Sequence, residues 1–191
     1  MNKEIKIDRQ EIRRPLEDIQ TVISIIGHKP NRLFGYYGKI DLYDKLKRLI
    51  MERLEELTCA VDGNILLVNG LALGTDRIFS RISFELAKQD KRYFTEAIIP
   101  YAKYEANWPQ ETQEEYYDLL KQFDVVTYMT KKDYIPDLVT IRDKYMINES
   151  DFMLAVYSGG KGEILDAIKY ARKLNVPVVR IKPREIYKME D

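Results

Sequence analysis

A chain of 191 residues is long enough to bury the core of one domain. Its 31 basic and 31 acidic residues cancel, which argues against nonspecific binding to nucleic acid or an anionic membrane surface. A single cysteine excludes an internal disulfide framework, no apolar run is long enough to span a membrane, and no signal-peptide pattern opens the chain, so the expected location is cytoplasmic.

Residues 1–19 are heavily charged, contain Arg13-Arg14-Pro15 and are expected to be an N-terminal extension. Residues 20–191 are expected to be a single domain. Thr21 to Ile26 is the first predicted strand, and it runs into Gly27-His28-Lys29-Pro30, where Pro30 blocks further strand. A glycine-bearing aromatic loop follows, with Phe34, Gly35, Tyr36, Tyr37 and Gly38. Asp41 is then expected to cap a helix with Leu42, Leu46, Leu49, Ile50, Leu54, Leu57 and Val61 on its apolar face. Cys59, in that pattern, reads as a small hydrophobe.

Asp62-Gly63 turns the chain into Ile65–Val68, four apolar residues that read as a strand buried on both faces. The loop Asn69 to Asp76 carries Gly70 and Gly74, and Ile78, Phe79, Ile82 and Leu86 then recur at helical spacing. Gly70-x-x-x-Gly74 is neither the dinucleotide fingerprint nor a P-loop, so by spacing alone it is either a tight turn or an anion site. Phe94–Ile99 is the next predicted strand, followed by the Tyr101–Pro109 loop with Trp108, a helix over Glu111–Phe123, a strand at Asp124–Met129 and a short helix over Val139–Asn148. Phe152–Tyr157 reads as a fifth strand and leads into Ser158-Gly159-Gly160-Lys161-Gly162-Glu163. A last helix contains Ile164, Leu165, Ile168 and Ala171, and a sixth strand covers Val176–Ile181, with Pro177 marking it as an edge.

Alternating strands and helices predict an α/β Rossmann-like three-layer sandwich, a mostly parallel sheet with helices on both faces. Ligands of such sheets bind outside the carboxyl ends of the strands. Three glycine loops qualify: Gly27–Gly38, Asn69–Asp76 and Ser158–Glu163.

These residues resemble the YpsA-like branch of the SLOG superfamily, which is related to the LOG phosphoribohydrolases and to DNA-processing protein A. The resemblance covers about residues 20–183. It rests on Gly27-His28-Lys29-Pro30 after the first strand; on Gly70, Gly74 and Asp76 as Gly-x-x-x-Gly-x-Asp; on Pro100, Tyr101 and Trp108; and on Arg142-Asp143-Lys144-Tyr145-Met146, where the family has Arg-Asn-x-x-Met. Two departures stand out. Tyr104 replaces a usual glutamine, and Gly159, Gly160 and Gly162 lack the threonine that closes the family's last loop, with Glu163 near that spot. The resemblance implies a nucleotide-derived ligand (a nucleotide, ADP-ribose or an NAD-like molecule) with no required cofactor.

The expected ligand-binding residues are Gly27, His28, Lys29, Gly70, Gly74, Asp76, Arg142, Gly159, Gly160 and Gly162. Backbone N–H groups of the glycine loops would face a phosphate, with helix N-termini at Thr75 and Gly162 adding favourable potential. His28, the only histidine, is a candidate acid, base or phosphate donor, or else a polar residue fixing its turn. Glu163 is the candidate acid/base of any catalysis, or else a helix N-terminal residue. Asp76 could meet a ribose hydroxyl or simply favour the helix dipole, Trp108 could stack on a base or anchor its loop, and Arg142 could reach an anion or pair with Asp143 or Asp151. Metal-ligand spacing is absent. Three functions compete: binding or sensing of the nucleotide-like ligand, N-glycosidic hydrolysis of a nucleoside monophosphate, and a scaffold or nucleic-acid role. Fourteen tyrosines, with Tyr36 and Tyr37 in a lid or contact loop, lead us to expect a homodimer or larger assembly.

Overall fold

The computed structural model describes residues 9–36, 40–130, 132 and 136–189. The predictions for Tyr37 and Gly38 fall outside them. Seven strands form one sheet: β1 (Arg9–Ile12), β2 (Ile19–Gly27), β3 (Asn64–Asn69), β4 (Tyr93–Ile99), β5 (Val125–Tyr128), β6 (Phe152–Val156) and β7 (Val178–Ile181). Their spatial order is β1-β5-β4-β3-β2-β6-β7, and every pairing is parallel except that of β1 with β5.

Alternation along the strands sorts the core into two layers. On one face Ile23, Ile25, Ile65, Leu67, Leu154 and Val156 pack with α1 (Ile40–Thr58) and α2 (Thr75–Gln89). Farther along the same face, Ala97, Ile99 and Val126 meet Tyr116, Leu119 and Leu120 of α3 (Gln110–Leu120). On the other face Leu66, Val68, Phe94 and Ile98 pack with Met146 of α4 (Leu138–Asn148). There too, Ile26, Met153 and Ala155 pack with Ala167, Ile168 and Ala171 of α5 (Glu163–Lys173). The fold is the expected α/β Rossmann-like sandwich.

Local details differ from the sequence reading. Residues 9–12, placed in the charged extension, add an antiparallel edge strand, with Arg14 reaching back to the Tyr93 carbonyl at 2.9 Å. A four-residue polar edge strand carries no periodic signal. Asp41 lies inside the first turn of α1 and is not its cap. Cys59 is exposed just past the end of α1, because the helix stops at Thr58, three residues short of Val61, where the apolar pattern ends. Pro177 precedes the edge strand β7. Among the described residues no helix is long and apolar enough to cross a membrane.

Candidate functional site

Strands β3, β2 and β6 are parallel neighbours, so their carboxyl ends and the three glycine loops share one edge of the sheet. The loops do different jobs there. After β2, His28 is 2% exposed and works through both its backbone and its ring. Its carbonyl accepts the Thr75 N–H at 3.2 Å and the Thr75 hydroxyl at 2.9 Å. Its Nε2 accepts the Ser158 N–H at 3.0 Å, with Ser158 Oγ at 2.7 Å. A nitrogen that accepts a main-chain N–H must be unprotonated. Burial, helped by the charge of Arg32, accordingly lowers the His28 pKa. With Nε2 occupied, His28 clasps the first and third loops and is not placed to exchange protons with a ligand through that nitrogen.

The second loop is filled from within the protein. A Cβ at Gly70 would lie 1.6 Å from Nη1 of Arg142, so this glycine makes room for a guanidinium and not for a ligand. Arg142 is 4% exposed; its Nη1 donates to the Gly70 carbonyl at 2.7 Å and its Nε to Asp143 at 2.8 Å. Asp151 instead accepts the Val22 N–H at 2.8 Å. Asp76 is buried, and its Oδ2 accepts the Ala72 N–H at 3.1 Å. Burial pushes its pKa up to about 6 against the opposing pull of Arg142 and the Ala72 N–H. Burial works to lower the Arg142 pKa, but Asp143, Tyr104 and Asp76 outweigh it and the net shift is upward. Gly74, at φ +94°, lets the chain pass the His28 carbonyl, which a Cβ would meet at 2.6 Å. At the N-terminus of α2 the Thr75 N–H, expected to face a phosphate, is thus taken by the His28 carbonyl. Asp76 and Arg142 line only a small cavity of about 50 Å³ that also touches Lys29, Glu163 and Ile164.

The third loop is open. Gly159, Gly160 and Gly162 all have positive φ, and a Cβ at Gly160 or Gly162 would meet nothing within 4 Å. No side chain caps α5 at Gly162. Its first turn borders a cleft of about 300 Å³, together with Gly27, His28, Lys29, Arg32, Lys161 and Glu163. Lys29, Arg32 and Lys161 are exposed and form no ion pair among the described residues. Uncapped N–H groups, the positive end of a helix and three cations make this an anion-accepting cleft. Glu163, exposed at the first position of α5, touches both this cleft and the small cavity.

Trp108 is engaged with the protein. It stacks edge-on with Tyr104 and Tyr116, and the Arg77 guanidinium lies 5.1 Å from its ring centre. It is a loop anchor. Tyr36 is exposed beside another cleft of about 340 Å³, between α1, α2 and α3. Sequence reasoning missed the Ser158 partner of His28 and the contribution of Lys161 to the cleft's charge. The lysine's place in the glycine loop was the available signal. Among the described residues no group of three or more His, Cys, Asp or Glu could hold a metal ion.

A family model described as the YspA SLOG family matches residues 23–185. A UPF0398 protein of Bacillus cereus strain B4264 is 27% identical over 141 residues, covering 73% of this chain and 76% of that protein. One of Bacillus anthracis strain A0248 is 26% identical over 143 residues, with the same coverage. Among solved structures, DNA processing protein A of Helicobacter pylori, described with a single-stranded DNA binding mode, superposes with a TM-score of 0.58 at 17% identity over 85% of this chain. DNA processing protein A of Streptococcus pneumoniae does so with a TM-score of 0.58 at 13% identity over 84%. The chain spans 66% and 50% of those two proteins, and at such identity the likeness is one of fold.

Proposed function

The chain belongs to the YspA SLOG family, and from that premise we propose that it binds or senses a nucleotide-derived small molecule whose phosphate lies at the N-terminus of α5. One observation carries this reading: the uncapped first turn of α5, which starts at the positive-φ Gly162, and the cations Lys29, Arg32 and Lys161, which form no ion pair among the described residues, meet at a single cleft of about 300 Å³. Cations and main-chain N–H groups together recognise phosphate, and their summed pull does not depend on the threonine that this loop lacks. Asp76, Arg142 and Gly70 act beneath the ligand, holding the floor rigid. Equilibrium titration with AMP, ADP-ribose and NAD tests the reading. Saturable binding of at least one is expected, and absence of binding by all three removes it.

Glu163 gives a second reading its specific observation, because its carboxylate stands where the cleft meets the cavity over Asp76. A carboxylate beside a bound phosphate could assist cleavage of an N-glycosidic bond through an oxocarbenium-like centre. Release of free base from a nucleoside monophosphate, lost in Glu163→Gln, supports that reading; no release at high protein concentration sinks it. The exposed cations would equally meet the backbone of a single strand, the ligand class in the description of the Helicobacter pylori neighbour. A mobility shift that weakens steeply with salt is the mark of that alternative.

A further inference from the structure

Beyond β3 from the anion-accepting cleft, at the carboxyl ends of β4 and β5, the protein has another cleft of about 240 Å³. It is lined by Tyr101 and Lys103 from the loop after β4, by Glu105, by Tyr116 and Tyr117 of α3, and by Tyr128 at the end of β5. Glu105 is 7% exposed, and among the described residues no cation pairs with it. Among the described residues its carboxylate accepts one hydrogen bond, from the Tyr117 hydroxyl to Oε1. That bond, together with burial, pushes the Tyr117 pKa up to about 12, so the hydroxyl stays protonated and donates. Buried carboxylates are ordinarily paired with a cation. Phenol rings attract cations through the negative faces of their π-systems. Two independent features of the lining therefore select the same sign of ligand.

We propose that this tyrosine-walled cleft binds a small organic cation, an alkylammonium or quaternary ammonium group seated against Glu105. The site is separate from the one that would hold a nucleotide and does not depend on it. Trp108, stacked edge-on against Tyr116 with ring centres 5.5 Å apart, supplies a fluorescent reporter. The test is titration of the full chain with tetramethylammonium chloride and choline chloride, against sodium chloride at equal ionic strength, read by tryptophan emission and by NMR. Saturable binding is expected with the organic cations and not with sodium. Glu105→Gln should weaken it at least about tenfold, and Tyr117→Leu, at a half-exposed position, severalfold. Circular dichroism melts establish that each variant is folded, and Tyr117→Leu keeps the test decisive if Glu105→Gln is not. No saturation in the folded wild type, or unchanged affinity in folded Glu105→Gln or Tyr117→Leu, would overturn the proposal.

Discussion

The carbonyl oxygen of His28 accepts two hydrogen bonds from Thr75, one from its N–H at 3.2 Å and one from its hydroxyl at 2.9 Å. This pair locks the first glycine loop over the start of α2, and the lock requires both Gly27 and Gly74. A Cβ on Gly27 would lie 2.4 Å from Thr75 Oγ1, and one on Gly74 would lie 2.6 Å from the His28 carbonyl. Gly74→Ala meets that backbone oxygen and also the strain of φ +94°, so it is expected to cost about 3 kcal/mol or more. Gly160→Ala has the same φ with open space around it and is expected to cost only about 1 kcal/mol. Urea unfolding of the two variants measures the contrast; equal costs would mean that the close approach to His28 is not what demands glycine.

Gly70→Ala separates packing from ligand access. Its Cβ would occupy the place of the Arg142 guanidinium, which must then leave the Gly70 carbonyl and Asp143. Displacing a buried charge from its partners costs about 3–5 kcal/mol, so the melting temperature should fall sharply with no ligand present. A variant as stable as the wild type would show that Arg142 has another seat.

Much of the frame was legible in the sequence, because β3 and β6 are built on apolar runs and α1, α2 and α5 keep a 3.6-residue period. The shared edge of the three glycine loops followed from parallel order. What each glycine serves was not legible. Gly70 and Gly160 look alike in a sequence, yet one faces Arg142, 72 residues away, and the other faces open space. The same long-range closure buries Asp76 against the Ala72 N–H and Arg142 against the Gly70 carbonyl, which no local pattern shows. Glu105 escaped notice because its burial depends on α3 folding over it.

Asp76 and His28 give pH dependences of opposite sign. The Asp76 pKa is raised to about 6, so the folded state holds a proton that the unfolded chain releases near 4. Stability from this group is full below about pH 4 and is lost as pH rises toward 6, by up to about 3 kcal/mol. The His28 pKa is lowered, so its contribution is present above the ordinary histidine value and is lost as pH falls through the lowered one. Asp76→Asn should remove the loss between pH 4 and 6, and His28→Gln should remove part of the acid-side loss. Unfolding free energies measured from pH 4 to 8 on each variant check both signs. Identical profiles for Asp76→Asn and wild type would place the Asp76 titration outside this range.

Glu163 gives a charge test. At the first position of α5 it adds a negative charge beside the phosphate position. Glu163→Gln is expected to tighten AMP binding about two- to fivefold if the residue only faces the phosphate. Weaker binding together with lost base release would mark it as part of a reaction. Calorimetry and a base-release assay on the same sample tell these apart.

The account stands most directly on the anion-accepting cleft, and a calorimetric titration of ADP-ribose into wild type and an Arg32→Glu, Lys161→Glu double variant tests it. Both residues are exposed, so the melting temperature should stay within about 2 °C of wild type. The prediction is saturable binding by the wild type and at least about a tenfold loss in the double variant. No binding by the wild type, or equal affinity in the folded double variant, would contradict it.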